Sequence, residues 1–292
     1  MNKIDVGKTI ADSYRFTLGQ LGTIIGLCWL PLVLMAVLQF LPYAFGGNPM
    51  AAPENAAAQG RHALGGLASS LVMLLLYAIM YVPVMRQALG LRKGTAMVHF
   101  ALGPAEFRVF GALLLFFVVM LVMAVGVGVL GLVLGGLSLA LGKAAFVRLI
   151  FALLILAAVL GFIYAIVRLG FLVVPVTVAE EQVSLTRGWV LTQHNFWRIF
   201  GVVLGVLLPV YLVHLIGLIA IVGPQLFAPL PANTNLAEQV LASRFALVGQ
   251  HMPEYLGLTL ILAPFSIGLI TGATAFGYRA LAAPAAATSP RT

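Results

Sequence analysis

Arg168 is the residue whose type and setting most invite chemistry. It stands inside the apolar run 149–178, and an ionisable side chain within a membrane span is by default a functional-site candidate. A guanidinium facing the interior of a helix bundle could hold a phosphate or carboxylate through two parallel hydrogen bonds. The alternative is that it snorkels to lipid phosphates from a span that overhangs the interface. No acid lies within any apolar run to pair with it. Arg108 and Arg198 form a second set of candidates. Each opens an apolar run directly after an aromatic residue, in Phe107-Arg108-Val109-Phe110-Gly111 and Trp197-Arg198-Ile199-Phe200-Gly201. Such residues suit anionic lipid headgroups, at about 1 kcal/mol per basic residue near the surface. They equally suit simple anchoring, with Trp189 and Trp197 as parts of an aromatic belt.

Other chemistries are poorly served. His214 sits alone in the middle of its run, where a histidine usually hydrogen-bonds to a neighbouring helix. His62, His99, His194 and His251 show no metal-binding spacing, and Cys28 is the single cysteine, so neither a metal site nor an intramolecular disulfide is expected. Ser266, in Pro264-Phe265-Ser266-Ile267-Gly268, lacks the first glycine of a nucleophile elbow. The eight acids all lie outside the apolar runs, and the adjacent pair Glu180-Glu181 suits the start of a helix, where its dipole favours negative charge. These residues predict no catalytic, cofactor-binding or metal-ligating group, and hence a protein that is not an enzyme and carries no cofactor.

The elements that must position these arginines follow from composition. The chain of 292 residues is 62% hydrophobic and 8% charged, with a mean hydropathy of +1.10. Soluble domains carry about 25% charged residues, so this is a polytopic membrane protein. The net charge of +8 does not indicate nucleic acid, because the basic residues are few and sit at the ends of apolar runs. Six runs reach the length of roughly 20 residues that a bilayer core requires: about 21–43, 64–85, 109–137, 149–178, 200–227 and 255–278. All must be helical, because unpaired backbone groups facing lipid are costly. The first twenty residues carry Asp5 and Asp12 and no apolar stretch of their own, so no cleavable signal peptide is expected.

Placing the N-terminus inside puts eleven Lys and Arg residues on the cytoplasmic side and four on the other, with Arg168 within a span. That asymmetry orients both termini to the cytoplasm. The paired motifs around Arg108 and Arg198, and the tetrapeptides Tyr81-Val82-Pro83-Val84 and Val173-Val174-Pro175-Val176, indicate an internal repeat. Aligning Gly26, Gly111 and Gly201, at spacings of 85 and 90 residues, extends it to three units of about 1–90, 91–180 and 181–282. Each unit reads as an amphipathic elbow helix along the cytoplasmic surface, an outward span and a returning span. The first elbow carries Ile10, Tyr14, Thr17 and Leu21 at helical spacing, and the third Leu185, Trp189, Thr192 and Phe196. The second, about 94–107, is interrupted by Pro104. Pro83 and Pro175 are expected to kink the returning spans. Four GxxxG pairs, at Gly22, Gly131, Gly201 and Gly268, predict close packing among the spans. Residues 44–62 read as a flexible loop, 235–250 as a short helix on the outer leaflet, and 283–292 as a disordered tail. The fold class is thus all-α, a single six-helix transmembrane domain over 1–282.

The stretch Ser184 to Gly201, together with Ile10-Ala11-Asp12-Ser13-Tyr14-Arg15-Phe16, resembles a bacterial six-helix family. That family includes the membrane domain attached to some glycerophosphodiester phosphodiesterases, and stand-alone relatives of undefined function. The resemblance spans nearly the whole chain and implies a multi-pass protein of the bacterial inner membrane. In the enzyme-fused members catalysis belongs to a separate soluble barrel, for which 292 residues leave no room, so no catalytic residue carries over. The expectation is a non-enzymatic protein of envelope or lipid homeostasis, or a membrane scaffold. Its partners would be membrane lipids, with Arg108, Arg168 and Arg198 on anionic headgroups. A transporter or channel for a small anionic solute is the alternative.

Overall fold

A computed structural model describes residues 2–44, 56–92, 100–141, 145–231 and 233–282. Among them the chain is all-α, with nine α-helices and no strand. They are α1 (Val6–Gly19), α2 (Leu21–Ala44), α3 (Ala56–Ala88), α4 (Pro104–Leu141), α5 (Ala145–Ala179), α6 (Leu185–Leu191), α7 (Phe196–Val222), α8 (Thr234–Gln250) and α9 (Met252–Ala282). Six of these are long and apolar enough to cross a membrane: α2, α3, α4, α5, α7 and α9. Mean hydropathies of 1.9 to 3.0 over these spans explain why. In lipid only intrahelical bonding satisfies so much apolar backbone.

The spans pack as consecutive pairs, α2 on α3, α4 on α5 and α7 on α9. The pairs join into a ring, because α4 also packs on α3, α7 on α5 and α2 on α9. Inside the ring the three returning spans α3, α5 and α9 touch one another. The short helices cap one end. Helix α1 lies against α9 and α7, and α6 lies against α5. We call this the elbow side, and the opposite end the far side.

The dry core concentrates on the elbow side. Ile4, Leu172, Ile199, Val202 and Leu269 form one buried cluster; Ile24, Leu27, Met80 and Ile267 a second; and Ala78, Val82, Met85, Val109 and Ala275 a third. The far-side halves instead present large apolar side chains outward, with Leu64 71%, Leu132 78% and Phe146 71% exposed. That surface fits lipid, where leucine is as comfortable as in a core.

Several sequence expectations are refined. Helix α3 begins at Ala56, so the predicted loop 44–62 is helical in its second part, while 45–55 lie outside the described residues. Pro104 opens α4 as a first-turn residue, where its missing N–H costs nothing. Residues 100–103 are not helical and 93–99 lie outside the described residues, so the second elbow is not seen as a helix. The third elbow is short: α6 stops at Leu191, a turn follows with His194 at φ 61°, and Phe196 already begins α7. Helix α7 ends at Val222 rather than 227. Gly223, at φ 102°, redirects the chain into a 3₁₀ turn over Pro224–Phe227, and the Gln225 side chain occupies the space a Cβ would need. Pro83 and Pro175 lie inside α3 and α5, which continue past them. Helix α8 forms as expected, capped by the Asn233 side chain. Arg244 on it donates to the carbonyls of Leu226 and Ala228 at 3.0 and 2.7 Å, tying α8 to the 3₁₀ turn. The predicted tail 283–292 lies outside the described residues.

The glycine pairs have an unexpected partner. A Cβ on Gly201 would meet Val6 at 3.4 Å, and one on Gly205 would collide with Ile10. A Cβ on Gly268 would meet Thr17 at 2.8 Å, and on Gly272 the Ser13 backbone at 3.2 Å. Both pairs therefore seat the elbow helix α1, and a Cβ on Gly268 would also meet Ile24 of the span α2 at 2.9 Å. Helix α1 buries Thr9, Ser13 and Thr17, one stripe at successive turns. Each hydroxyl donates back four residues, to the carbonyls of Asp5, Thr9 and Ser13 at 2.7, 2.6 and 2.8 Å. The buried stripe is therefore satisfied internally and presents only small, smooth groups to the glycines. A Cβ on Gly22, Gly131 or Gly135 would meet nothing within 4 Å, so among the described residues the Gly131–Gly135 pair serves no contact.

Candidate functional site

Arg168 is 4% exposed and points from α5 to the underside of α6. Its Nε donates to Thr192 Oγ1 at 3.2 Å, Nη1 to the Tyr164 hydroxyl at 2.8 Å, and Nη2 to the Trp189 carbonyl at 2.6 Å. The guanidinium carbon lies 3.8 Å from the Trp189 ring centre and 5.3 Å from that of Tyr164. Three neutral acceptors and two π faces replace the anion that the sequence lacks. The Thr192 hydroxyl, itself fully buried, donates to the Gly188 and Trp189 carbonyls at 2.9 and 3.0 Å. Gly188 lies flat on α5, 3.6 Å from the Leu172 Cβ at its would-be Cβ. Arg168 is thus a clamp between span and elbow, covered by α6.

Arg198 plays a related part at the other elbow. Its Nη1 donates to the Ile4 carbonyl at 2.7 Å. The Ile4 N–H donates to Asn195 Oδ1 at 3.3 Å, and Asn195 Nδ2 donates to the Asn2 carbonyl at 3.2 Å. The buried Asn195 and the exposed Arg198 therefore grip the segment entering α1, with Ile4 inserted into the core. Arg198 remains exposed beside Trp197, which is 77% exposed.

Arg108 reaches the segment entering α6, where its Nη2 lies 3.3 Å from Glu181 Oε2. Next to it, Glu180 accepts from Arg187 at 3.0 Å, from Gln182 at 3.2 Å and from the Tyr278 hydroxyl at 3.2 Å. Partial burial pushes the Glu180 carboxyl up, but these donors outweigh it and hold it below the usual carboxylate range. The structure does not bring Arg108, Arg168 and Arg198 to one site. Each fastens an elbow, and Arg108 and Arg198 keep part of their surface open beside exposed Phe107 and Trp197.

A different place gathers polar groups. Helices α2 and α7 both pack on α9, and between them lies a cavity of about 300 Å³ also bordered by α3. Leu32, Met35 and Gln39 contribute from α2, Tyr77 and Tyr81 from α3, Val210 and His214 from α7, and Tyr255, Thr259 and Ser266 from α9. Among the described residues no Lys, Arg, Asp or Glu lines it. Some groups are satisfied locally: Thr259 donates to the Tyr255 carbonyl at 2.9 Å and Ser266 to that of Leu262 at 3.0 Å. His214 Nδ1 lies 2.9 Å from the Val210 carbonyl. A carbonyl only accepts, so in the neutral ring Nδ1 carries the proton and Nε2 is left as an acceptor. His214 and Ser266 share this cavity without a carboxylate. Among the described residues there is also no cluster of three His, Cys, Asp or Glu side chains placed for a metal.

Sequence reasoning missed this cavity. A signal was present, since Tyr77 and Tyr81, Val210 and His214, and Tyr255 and Thr259 each recur four residues apart within apolar spans. What the sequence does not carry is that those helix faces meet. Comparison with family models, curated proteins and solved structures finds no match to this chain.

Proposed function

We propose that this chain is a non-enzymatic protein of the bacterial inner membrane that serves envelope or lipid homeostasis through a cationic, elbow-lined cytoplasmic face. The observation that carries this reading is the elbow side itself. Lys3, Lys8, Arg15, Arg187, Arg198 and Arg279 are all exposed there, beside the exposed aromatic rings of Phe107 and Trp197. Aromatic and basic residues together are the composition of an interface that contacts anionic headgroups. The same face supports both termini in the cytoplasm, by the asymmetry of basic residues. The engagement of Arg168 by Thr192, Tyr164 and Trp189 speaks against the anion-transport alternative, which needs those donors free.

The repeat belongs to the same proposal. Each unit's outward span packs on the returning span of the unit before it, cyclically: α4 on α3, α7 on α5, α2 on α9. The elbows follow that rule too, with α6 on α5 and α1 on α9. Arg108 of the second unit grips the entry to the third elbow, and Arg198 of the third grips the entry to the first. Three parallel units around an axis along the membrane normal account for all of these.

Native mass spectrometry tests the headgroup reading. Arg108→Ala with Arg198→Ala removes about 1 kcal/mol of attraction per residue. Retention of phosphatidylglycerol and cardiolipin should therefore fall several-fold, while that of zwitterionic phosphatidylethanolamine stays level. Equal retention of all three by the variant and the parent defeats the proposal.

A further inference from the structure

We propose that the cavity between α2, α3, α7 and α9 binds an uncharged acylglycerol-type lipid, one carrying a hydroxyl and ester carbonyls. The site is separate from the elbow side, so the two proposals stand or fall independently. Its chemistry follows from what lines it. A cavity of about 300 Å³ is at the small end of small-molecule sites, which are mostly apolar with a few convergent polar groups. Here the apolar part comes from residues such as Leu32, Met35 and Val210.

The polar part is in surplus. Among the described residues the side chains of Gln39, Tyr77, Tyr81 and Tyr255 have no hydrogen-bond partner in the protein, and His214 keeps Nε2 as an acceptor. Tyr77 and Tyr81 stack at 6.1 Å between ring centres, which fixes both hydroxyls on one wall. Gln39 and Tyr77 are exposed and Tyr81, Tyr255 and His214 half-buried, so these groups line an open cavity wall where a ligand entering from the lipid can bond to them. Tyrosine hydroxyls donate to ester carbonyls, and Nε2 accepts from a hydroxyl. Among the described residues no charged side chain lines the cavity to compensate a phosphate or an ammonium, and an unpaired charge in an apolar site is far more costly than a neutral polar group. Charge therefore selects against the bulk phospholipids, and the combination of hydroxyl and ester selects an acylglycerol. The cavity reaches from Tyr255, near the start of α9, to Ser266 at its middle. That depth suits a glycerol head with its chains continuing into lipid.

The test uses the full chain in nanodiscs of phosphatidylethanolamine and phosphatidylglycerol, with a photoreactive diazirine diacylglycerol as probe. Cross-linked peptides should map to the α7 and α9 segments around His214 and Tyr255. Labelling should fall with excess unlabelled dioleoylglycerol and not with the same excess of phosphatidylglycerol. In the volume-conserving variants Tyr81→Phe with His214→Leu it should fall at least several-fold, while labelling of the far-side surface of α4 is unchanged. The competition arm needs no variant, so a folding defect cannot mask the outcome. Equal competition by phosphatidylglycerol overturns the selectivity for an uncharged lipid. Cavity labelling no greater than that of α4 overturns the site.

Discussion

Arg168 shows how far a single residue can be read without its surroundings. The sequence says that an arginine inside a span needs acceptors, and the absence of acids suggests either an unseen anion or the interface. The actual acceptors are a carbonyl, a threonine and a tyrosine, all neutral. Two of them belong to the elbow 21 and 24 residues later. Neutral acceptors carry no signature in a charge count, which is why the clamp was not legible. Its removal has a definite cost. Arg168→Ala leaves the Thr192 hydroxyl and the Trp189 carbonyl beside a void, and the loss of charge-assisted hydrogen bonds should destabilise by roughly 3 kcal/mol. Arg168→Lys should fall between, because an ammonium cannot match the planar fork or its stacking on Trp189. Thermal unfolding in detergent measures the loss. Acrylamide quenching of Trp189, in a background with Trp29→Phe and Trp197→Phe, reports whether α6 lifts. A variant that melts with the parent and leaves Trp189 as protected would show that Arg168 clamps nothing.

At the scale of elements, the six spans were legible because length and hydropathy decide them almost alone. The span bounds moved by a few residues where caps and breakers act, at the starts by Pro104 and Asn195 and at the end by Gly223. The elbow α1 was legible as a helix, but the face it buries was only half read. Ile10 and Tyr14 do pack inward, yet the closest approach is made by Thr9, Ser13 and Thr17, which a hydrophobic pattern counts as polar. Their hydroxyls are consumed by the helix's own carbonyls, and small size rather than polarity then sets their role. It follows that Gly272→Leu should unseat α1, since the new side chain enters where the Ser13 backbone lies. Hydrogen exchange over residues 6–19 should accelerate at least tenfold, with α4 and α5 unaffected. Gly131→Leu, at a position with open space around it, is the matched control and should change nothing. Equal exchange in both variants would mean that the glycines of α9 are not the seat of the elbow.

The whole molecule rests on pairings that no local pattern contains. Which span sits beside which was not legible, because all six present similar leucine, valine and phenylalanine surfaces to one another and to lipid. Charge is the exception: it is sparse, and its position relative to the ring can be tested. Lys3 and Arg279 are exposed on the elbow side, close to the two ends of the described chain, whereas Glu238 is exposed on α8 at the far side. Native Cys28 is fully buried, so it gives a silent background for thiol labelling. Single substitutions Lys3→Cys, Arg279→Cys and Glu238→Cys therefore read out the topology of the intact protein in sealed right-side-out spheroplasts. An impermeant maleimide should label Glu238→Cys at once, and the other two only after permeabilisation. The reverse pattern would place the elbows outside and remove the cytoplasmic face on which the headgroup reading depends. Labelling of Lys3→Cys and Arg279→Cys from opposite sides would require an odd number of crossings. Six spans, with α1 and α9 ending on the same side as α6, cannot give that result.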